Sequence, residues 1–312
     1  MDQKKTLPVL LSLLLLLTGC STSADNADST APAVSEPEVS QADTPGDDAL
    51  SGDDVIIPEV IVPMHLYYAT DHGTQDPAQL SDFLGQLEAD DTTVDTGALL
   101  EFPLDADSLI INSPTEDITL EELQRIDEYF NAGGHVLLLM PAQDTDVRFK
   151  YIERMLDELC IVLDYDRIGY EGTGEDDYLP GEIIGAASGM TAIDHAASRT
   201  PVYFHNARSF HFTYGEHYGS VKQDSMLETQ EDAVGVPCGG VQDDPETYRG
   251  QLMEMVYARD DERLNCTVVA VGCSDFLLDE NTGAETCVAM RDWVYSTLYW
   301  FKSGNVYMTY YQ

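Results

Sequence analysis

The sequence predicts an α/β protein with a mostly parallel central sheet and flanking helices. Three observations lead to this prediction. Apolar runs without alternation occur at 109–111 and 136–139, as expected of parallel strands that are buried on both faces. A helix separates these runs, and residues typical of helix caps stand at both of its ends. Further strands and helices alternate on both sides of this unit.

Residues 107–140 form the central strand–helix–strand unit. Thr119 is placed to cap the helix while Glu122, three residues later, reaches back to the first turn, as in a capping box. One helical stripe is apolar and consists of Leu120, Leu123, Ile126 and Phe130. Gly133 and Gly134 end the helix, and a right-handed crossover follows from this order of elements.

Elements on either side extend the pattern. Residues 64–68 predict the first core strand, residues 80–87 an amphipathic helix, and residues 92–94 a short returning strand. Downstream, residues 149–159 carry an apolar helical face and residues 161–163 enter another strand. The alternation of strands and helices is that of an α/β protein.

The second half of the chain is less regular. Residues 169–201 predict a long exposed loop, and residues 201–218 are aromatic and β-like, which indicates a β-rich insertion. Residues 267–271 form another continuous apolar strand. Residues 284–301 predict the last helix, which has too many polar residues for a membrane span.

The charge of the chain disfavours one class of partner. The 312 residues include 57 Asp and Glu against 15 Lys and Arg, which gives a formal net charge of −42. A surface this negative repels phosphate backbones and anionic lipid headgroups, so nucleic-acid binding is disfavoured. The acidity is typical of an exposed protein that is kept soluble by its charge.

Residues 1–20 predict a targeting segment. Two lysines precede an apolar run that is too short to span a bilayer as a stable helix, and the segment ends in LTGC at 17–20. This ending resembles the lipobox of bacterial lipoproteins, in which the peptide is cleaved before the cysteine and the thiol is acylated. We therefore expect lipidated Cys20 to anchor an extracytoplasmic protein to the cell membrane. A plain secretory peptide is the alternative.

Residues 21–55 predict a disordered acidic tether. They contain nine acidic residues, no basic residue and almost nothing large and apolar, so this stretch cannot bury enough surface to fold. The tether would hold the folded domain, residues 56–312, roughly tens of ångströms from the membrane.

Five cysteines remain after Cys20. This odd number leaves at least one thiol unpaired unless it pairs between chains, and the spacing matches no structural zinc site. We expect these cysteines to act as small buried residues more than as a disulfide framework. They are Cys160, Cys238, Cys266, Cys273 and Cys287.

Sequence motifs of the common enzyme classes are absent. The chain has no GxGxxG, Walker A, GxSxG or HExxH string, so no cofactor, no metal and no catalytic residue are assigned. Cys160 and Cys273 are the alternative nucleophiles, but neither has a histidine beside it in the sequence.

The turns after the predicted strands carry the informative polar residues. In open α/β sheets ligands bind at the carboxyl ends of the strands, where such turns meet. We predict that six residues contribute to a ligand site there: His72, Asn112, Ser113, Gln143, Ser274 and Asp275. The alternative is that Asn112 and Ser113 only turn the chain and that His72 only hydrogen-bonds to backbone.

Three histidines recur every six residues at His205, His211 and His217. An even step would place all three on the same side of a single strand, as a metal or sugar-stacking surface requires. Gly215 and Gly219 interrupt such a strand and favour half-exposed positions of a hairpin.

Several separated strings resemble a single family. YYATDHG at 67–73 is similar to a strand that ends in a threonine, glycine, histidine, glycine, glutamate turn, and residues 107–140 are similar to the central unit. Short strings at 207–209 and 227–229 and the closing VGCSDF at 271–276 complete the pattern. Together they resemble the GldG-like auxiliary component of gliding-type ABC transport systems, from about residue 64 to the C terminus.

The chain departs from that pattern at three polar positions. Asp71 stands where the family has glycine, Thr74 where it has glutamate, and Cys273 where it has aspartate. A lipid would also replace the transmembrane helices that often hold family members.

The resemblance implies a flavodoxin-like or class I amidotransferase-like domain that works beside ABC permease and ATPase components, with no assigned reaction. We therefore expect a non-enzymatic auxiliary protein that binds a partner or small ligand at the carboxyl edge of its sheet. One alternative is an extracytoplasmic hydrolase that uses His72 with Ser274 and Asp275. Another is a solute-binding lipoprotein of an importer, for which two similar lobes would be expected; the sequence shows no such repeat.

Overall fold

The computed structural model describes residues 63–89, 91–174, 176–183, 202–213, 219–239, 248–260 and 262–303. All of them belong to one unit, Ile57–Gln312. The predicted targeting segment with Cys20 and the tether lie outside the described residues. Within the described ranges, no helix is both long and apolar enough to cross a membrane.

The described ranges contain fourteen strands and four α-helices. The strands are β1 (His65–Ala69), β2 (Thr93–Gly97), β3 (Ser108–Asn112), β4 (His135–Leu139), β5 (Ile161–Leu163), β6 (Asp166–Gly169), β7 (Leu179–Ile183), β8 (Val202–Phe204), β9 (Phe210–Phe212), β10 (Val221–Thr229), β11 (Val234–Pro237), β12 (Tyr248–Arg249), β13 (Met253–Asp260) and β14 (Cys266–Val271). The helices are α1 (Ser81–Ala89), α2 (Leu120–Asn131), α3 (Lys150–Asp157) and α4 (Glu285–Ser303).

A parallel half-sheet forms the part of the molecule that the sequence predicts best. Its strands lie in the order β2-β1-β3-β4-β14, and every neighbouring pair is parallel. Counted along the chain within this half, the order is 2-1-3-4-5, which is the flavodoxin-like arrangement. The predicted α/β fold class is confirmed.

An antiparallel half continues the same sheet beyond β14. The strands β13, β10, β7 and β8 follow in that order, and β9 pairs with both β13 and β5. A separate small sheet has the order β12-β11-β6. The β-rich part of the second half is therefore larger than the aromatic segment alone indicates. Residues 161–163 do form a strand, but it pairs antiparallel with β9, because β14 already occupies the position beside β4.

Both faces of the parallel half are covered by helices. Ile110 and Leu137 belong to a core that includes Phe83 of α1 and Trp293 of α4. The neighbours of these residues along the strands, such as Leu109 beside Ile110, belong to a second core that includes the apolar faces of α2 and α3. Burial on both faces explains the continuous apolar runs in the sequence.

The five cysteines of the described residues are all buried and unpaired: Cys160, Cys238, Cys266, Cys273 and Cys287. They act as small core residues and form no disulfide framework among themselves.

Candidate functional site

Four loops meet at the carboxyl edge of the parallel half-sheet, because the parallel strands β1, β3, β4 and β14 all end there. These loops carry His72, Ser113, Gln143 and Ser274, one after each strand. The edge geometry therefore places residues from widely separated parts of the chain in one region.

A hydrogen-bonded chain of side chains joins the ends of β3 and β14. Ser113 Oγ lies 2.9 Å from Asn112 Oδ1 and 2.7 Å from Ser274 Oγ. An amide oxygen only accepts hydrogen bonds, so the Ser113 hydroxyl donates to Asn112 and accepts from Ser274. Because β4 lies between β3 and β14, this chain crosses the end of β4.

Ser113 adopts a backbone conformation that is uncommon for a residue with a side chain. Its φ is 54°, in the left-handed region, and its N–H donates to Leu139 O over 2.8 Å. Such conformations cost about 1–3 kcal/mol and cluster at functional sites. The turn thereby directs the Ser113 hydroxyl toward Ser274.

An open cleft of about 680 Å³ lies at this edge. Two of the predicted residues, Ser113 and Gln143, line it, and Gln143 Nε2 donates to Pro114 O over 2.9 Å. Every lining residue except one glycine has a polar side chain: Gly73, Thr74, Gln75, Asp76, Gln79, Ser113, Thr115, Gln143, Asp144 and Thr145. The cleft offers hydroxyl, amide and carboxylate groups, in contrast to the mostly apolar lining of small-molecule pockets. Its contacts to a ligand or a partner segment would therefore be hydrogen bonds.

His72 has a different carboxylate partner from the one that the hydrolase alternative requires. His72 Nε2 lies 2.9 Å from Glu122 Oε1, whereas Asp275 Oδ2 lies 2.5 Å from Nδ1 of His205. The hydrolase alternative needs His72 to act with Asp275, and this pairing is not observed. The reason is that Glu122 lies in the first turn of α2 beside the loop after β1, while His205 follows β8 beside the loop after β14.

The same-side arrangement of three histidines, which Gly215 and Gly219 disfavour in the sequence, is not observed for the two that are described. His205 follows β8, whereas His211 lies within β9 and contacts Asp164 with Nδ1 at 2.9 Å. His217 lies outside the described residues. The two described histidines therefore belong to separate carboxylate pairs.

Cys273 lies directly before Ser274 but has no character of a nucleophile. It is buried, and its thiol donates to Glu254 Oε1 over 2.8 Å. Burial and the neighbouring Glu254 carboxyl raise the pKa of the Cys273 thiol well above its ordinary value. The thiolate, which is the reactive form, is therefore disfavoured.

Three residues at this edge were not assigned to the site from the sequence: Asp71, Glu122 and His205. Glu122 was assigned only to the capping box, which the structure confirms, since Thr119 N donates to Glu122 Oε2 over 2.6 Å. No sequence signal links Glu122 to His72, because they lie 50 residues apart. Asp71 adjoins His72 in the sequence and offered the clearest missed signal.

Comparisons with known proteins add information about the fold. Neither a protein family model nor a curated protein matches the chain. Among solved structures, the mmIFT52 N-terminal domain is similar with a TM-score of 0.57 and 12% identity, over 78% of this chain and 99% of that chain. A ThuA-like protein from Bacteroides uniformis has a TM-score of 0.44 and 13% identity, over 76% of this chain and 92% of that chain. The similarity to the mmIFT52 domain shows a shared fold.

Proposed function

We propose that this chain is a lipid-anchored extracytoplasmic auxiliary protein of an ABC transport system, and that it binds a small polar ligand or a partner segment without catalysis. The cleft at the carboxyl edge carries the proposal, because ten residues from the turns and a short helix at that edge converge on it. The lipobox-like ending at Cys20 and the resemblance to GldG-like components supply the location and the transport context.

The hydrogen bonds at the edge favour binding over nucleophilic catalysis. Ser113 and Ser274 bond to each other, and neither hydroxyl bonds to a histidine of the described ranges. A serine nucleophile requires a base within hydrogen-bond reach, whereas the contacts of His72 and His205 are to the carboxylates of Glu122 and Asp275. These contacts favour a cleft that binds its ligand through hydrogen bonds over one that attacks it with a serine.

Site-directed photo-crosslinking in native membranes tests this proposal. A photoreactive residue replaces exposed Asp144 in the cleft, and a matched control replaces Val236, which is 52% exposed on the separate small sheet. We expect the Asp144 position to give an adduct with a permease or ATPase component and the Val236 position to give none.

Three results would overturn the proposal. They are adducts of equal yield at both positions, no transport component among the Asp144 adducts, and turnover by the purified protein in a hydrolase panel that Ser274→Ala abolishes. The last result would favour an extracytoplasmic hydrolase instead.

A further inference from the structure

Asp71, His72 and Glu122 bring three metal-ligating side chains together at the carboxyl edge. One ligand atom from each lies within 4.8 Å of the others. His72 Nε2 is 2.9 Å from Glu122 Oε1 and 3.6 Å from Asp71 Oδ2. Ligands about 2.0–2.1 Å from a tetrahedral zinc ion are about 3.3 Å apart, so these separations suit ligands of a single ion.

Local structure holds each of the three side chains in place. Asp71 and His72 open a turn that is closed by a hydrogen bond from Thr74 N to Asp71 O, with φ of 58° at His72 and 65° at Gly73. Positive φ at both central positions is the geometry of a type I′ turn. The capping box fixes Glu122, because Thr119 N donates to its Oε2 and leaves Oε1 toward His72.

One carboxylate oxygen in the cluster has no protein partner. Leu99 N donates to Asp71 Oδ2 over 2.9 Å, but Asp71 Oδ1 is buried and has no hydrogen-bond partner among the described residues. A buried unpaired carboxylate oxygen is costly, and an ordered water or a bound ion can pair it in a native structure. It belongs to the same carboxylate whose Oδ2 lies 3.6 Å from His72 Nε2.

We propose that Asp71, His72 and Glu122 bind one divalent transition-metal ion, with zinc the best match. A set of one imidazole and two carboxylates suits zinc, and three protein ligands leave a fourth position open to water or to a ligand. The side chains of His72, Asp71 and Glu122 are 14%, 28% and 6% exposed, so an ion can enter from solvent. The site does not depend on the proposed transport role.

Conservative substitutions can remove the ligands without disturbing the local fold. Asp71→Asn keeps an acceptor for Leu99 N. His72→Asn suits the left-handed backbone conformation, which Asn tolerates. Glu122→Gln keeps the capping box, which Gln also forms. His205→Asn with Asp275→Asn is the matched control, because it removes another histidine–carboxylate pair at the same edge.

Metal binding to the detergent-extracted mature protein tests the site. After metal removal, equilibrium dialysis against zinc measures stoichiometry and affinity, and cobalt serves as a spectroscopic probe of the coordination geometry. We expect the wild type and the control variant to bind one zinc ion tightly per chain and to show an intense visible spectrum with cobalt. Removing a residue that only orients a metal ligand lowers the affinity for the metal about 10–100-fold. Removing the ligands themselves should therefore lower the affinity for zinc about 100-fold or more.

The triple variant combines Asp71→Asn, His72→Asn and Glu122→Gln and should lose the tightly bound zinc. The proposal fails if the triple variant binds as many zinc ions tightly as the wild type, because the ions would then be held by the general acidic surface. It also fails if the wild type shows no tight equivalent, or if the control variant loses the cobalt spectrum to the same degree as the triple variant. Circular dichroism of all three proteins establishes that a loss of binding is not a loss of folding.

Discussion

The hydroxyl oxygens of Ser113 and Ser274 lie 2.7 Å apart, although 161 residues separate them in the chain. Each follows a strand of the parallel half-sheet, and the carboxyl ends of β3 and β14 lie on the same edge. The contact thus ties the central strand–helix–strand unit to the closing segment of the chain.

Ser113→Ala should destabilise the protein more than Ser113→Gly does. Both substitutions leave the buried Asn112 Oδ1 without its donor, which costs about 1–3 kcal/mol. Glycine, however, tolerates the φ of 54° without steric cost, so the glycine variant should be the more stable by up to about 1 kcal/mol. Urea unfolding of both variants measures the difference. A glycine variant that is less stable than the alanine variant would contradict the proposed backbone strain.

Glu254 should make the protein less stable as pH rises. Complete burial raises the pKa of the Glu254 carboxyl from 4.5 to about 8. The unfolded chain releases this proton near pH 4.5, whereas the folded chain keeps it until about pH 8, so stability falls across that interval. The loss is of the order of several kcal/mol.

Glu254→Gln removes this titration while it keeps the size of the side chain and an acceptor for Cys273. We expect the difference in unfolding free energy between variant and wild type to grow in favour of the variant between pH 5 and pH 8, as measured by urea titration at several pH values. A difference that stays constant with pH would show that Glu254 does not titrate in this interval.

His205 and Asp275 should be energetically coupled. Their side chains are 20% and 27% exposed and their polar atoms lie 2.5 Å apart. A double-mutant cycle with His205→Ala and Asp275→Asn should give a coupling of about 1 kcal/mol, typical of a partly exposed charge-assisted hydrogen bond. The same cycle with His72→Ala and Asp275→Asn is the control and should give values near zero. Equal coupling in both cycles would contradict the observed pairing.

Cys20→Ser should release the protein from the membrane. If the Cys20 thiol carries the lipid, the serine variant has no anchor, and no described helix is long and apolar enough to replace it. Fractionation of cells followed by immunoblotting should find the wild type with the membranes and the variant in the soluble fraction. Retention of the variant on the membrane at the wild-type level would mean that another segment or a partner anchors the protein.

Local sequence signals explain which parts of the fold were predictable. Thr119, Glu122 and the apolar runs around them define α2 and its two strands, because caps and burial patterns act over a few residues. The antiparallel half could not be predicted to the same degree. The pairing of β10 with β13, for example, joins strands whose neighbours are set by the whole sheet and not by their own residues.

The candidate site was predictable only as far as the sheet rule extends. Parallel strands end at the same edge of the sheet, so positions 113 and 274 are predicted to lie there whichever side chains they carry. The rule does not say which carboxylate contacts which histidine. His72 contacts Glu122 because a helix begins beside its loop, a relation that depends on how α2 packs on the sheet.

An engineered disulfide between positions 113 and 274 tests the convergence of the edge most directly. Ser113→Cys and Ser274→Cys are combined in one chain, oxidised, and mapped by mass spectrometry of non-reduced peptides, with the two single variants as controls. Because the parent hydroxyls are 2.7 Å apart, the account predicts a 113–274 disulfide in the folded protein. If both thiols of the double variant are alkylated as fully as in the single variants, the two loops do not meet and the proposed site is wrong.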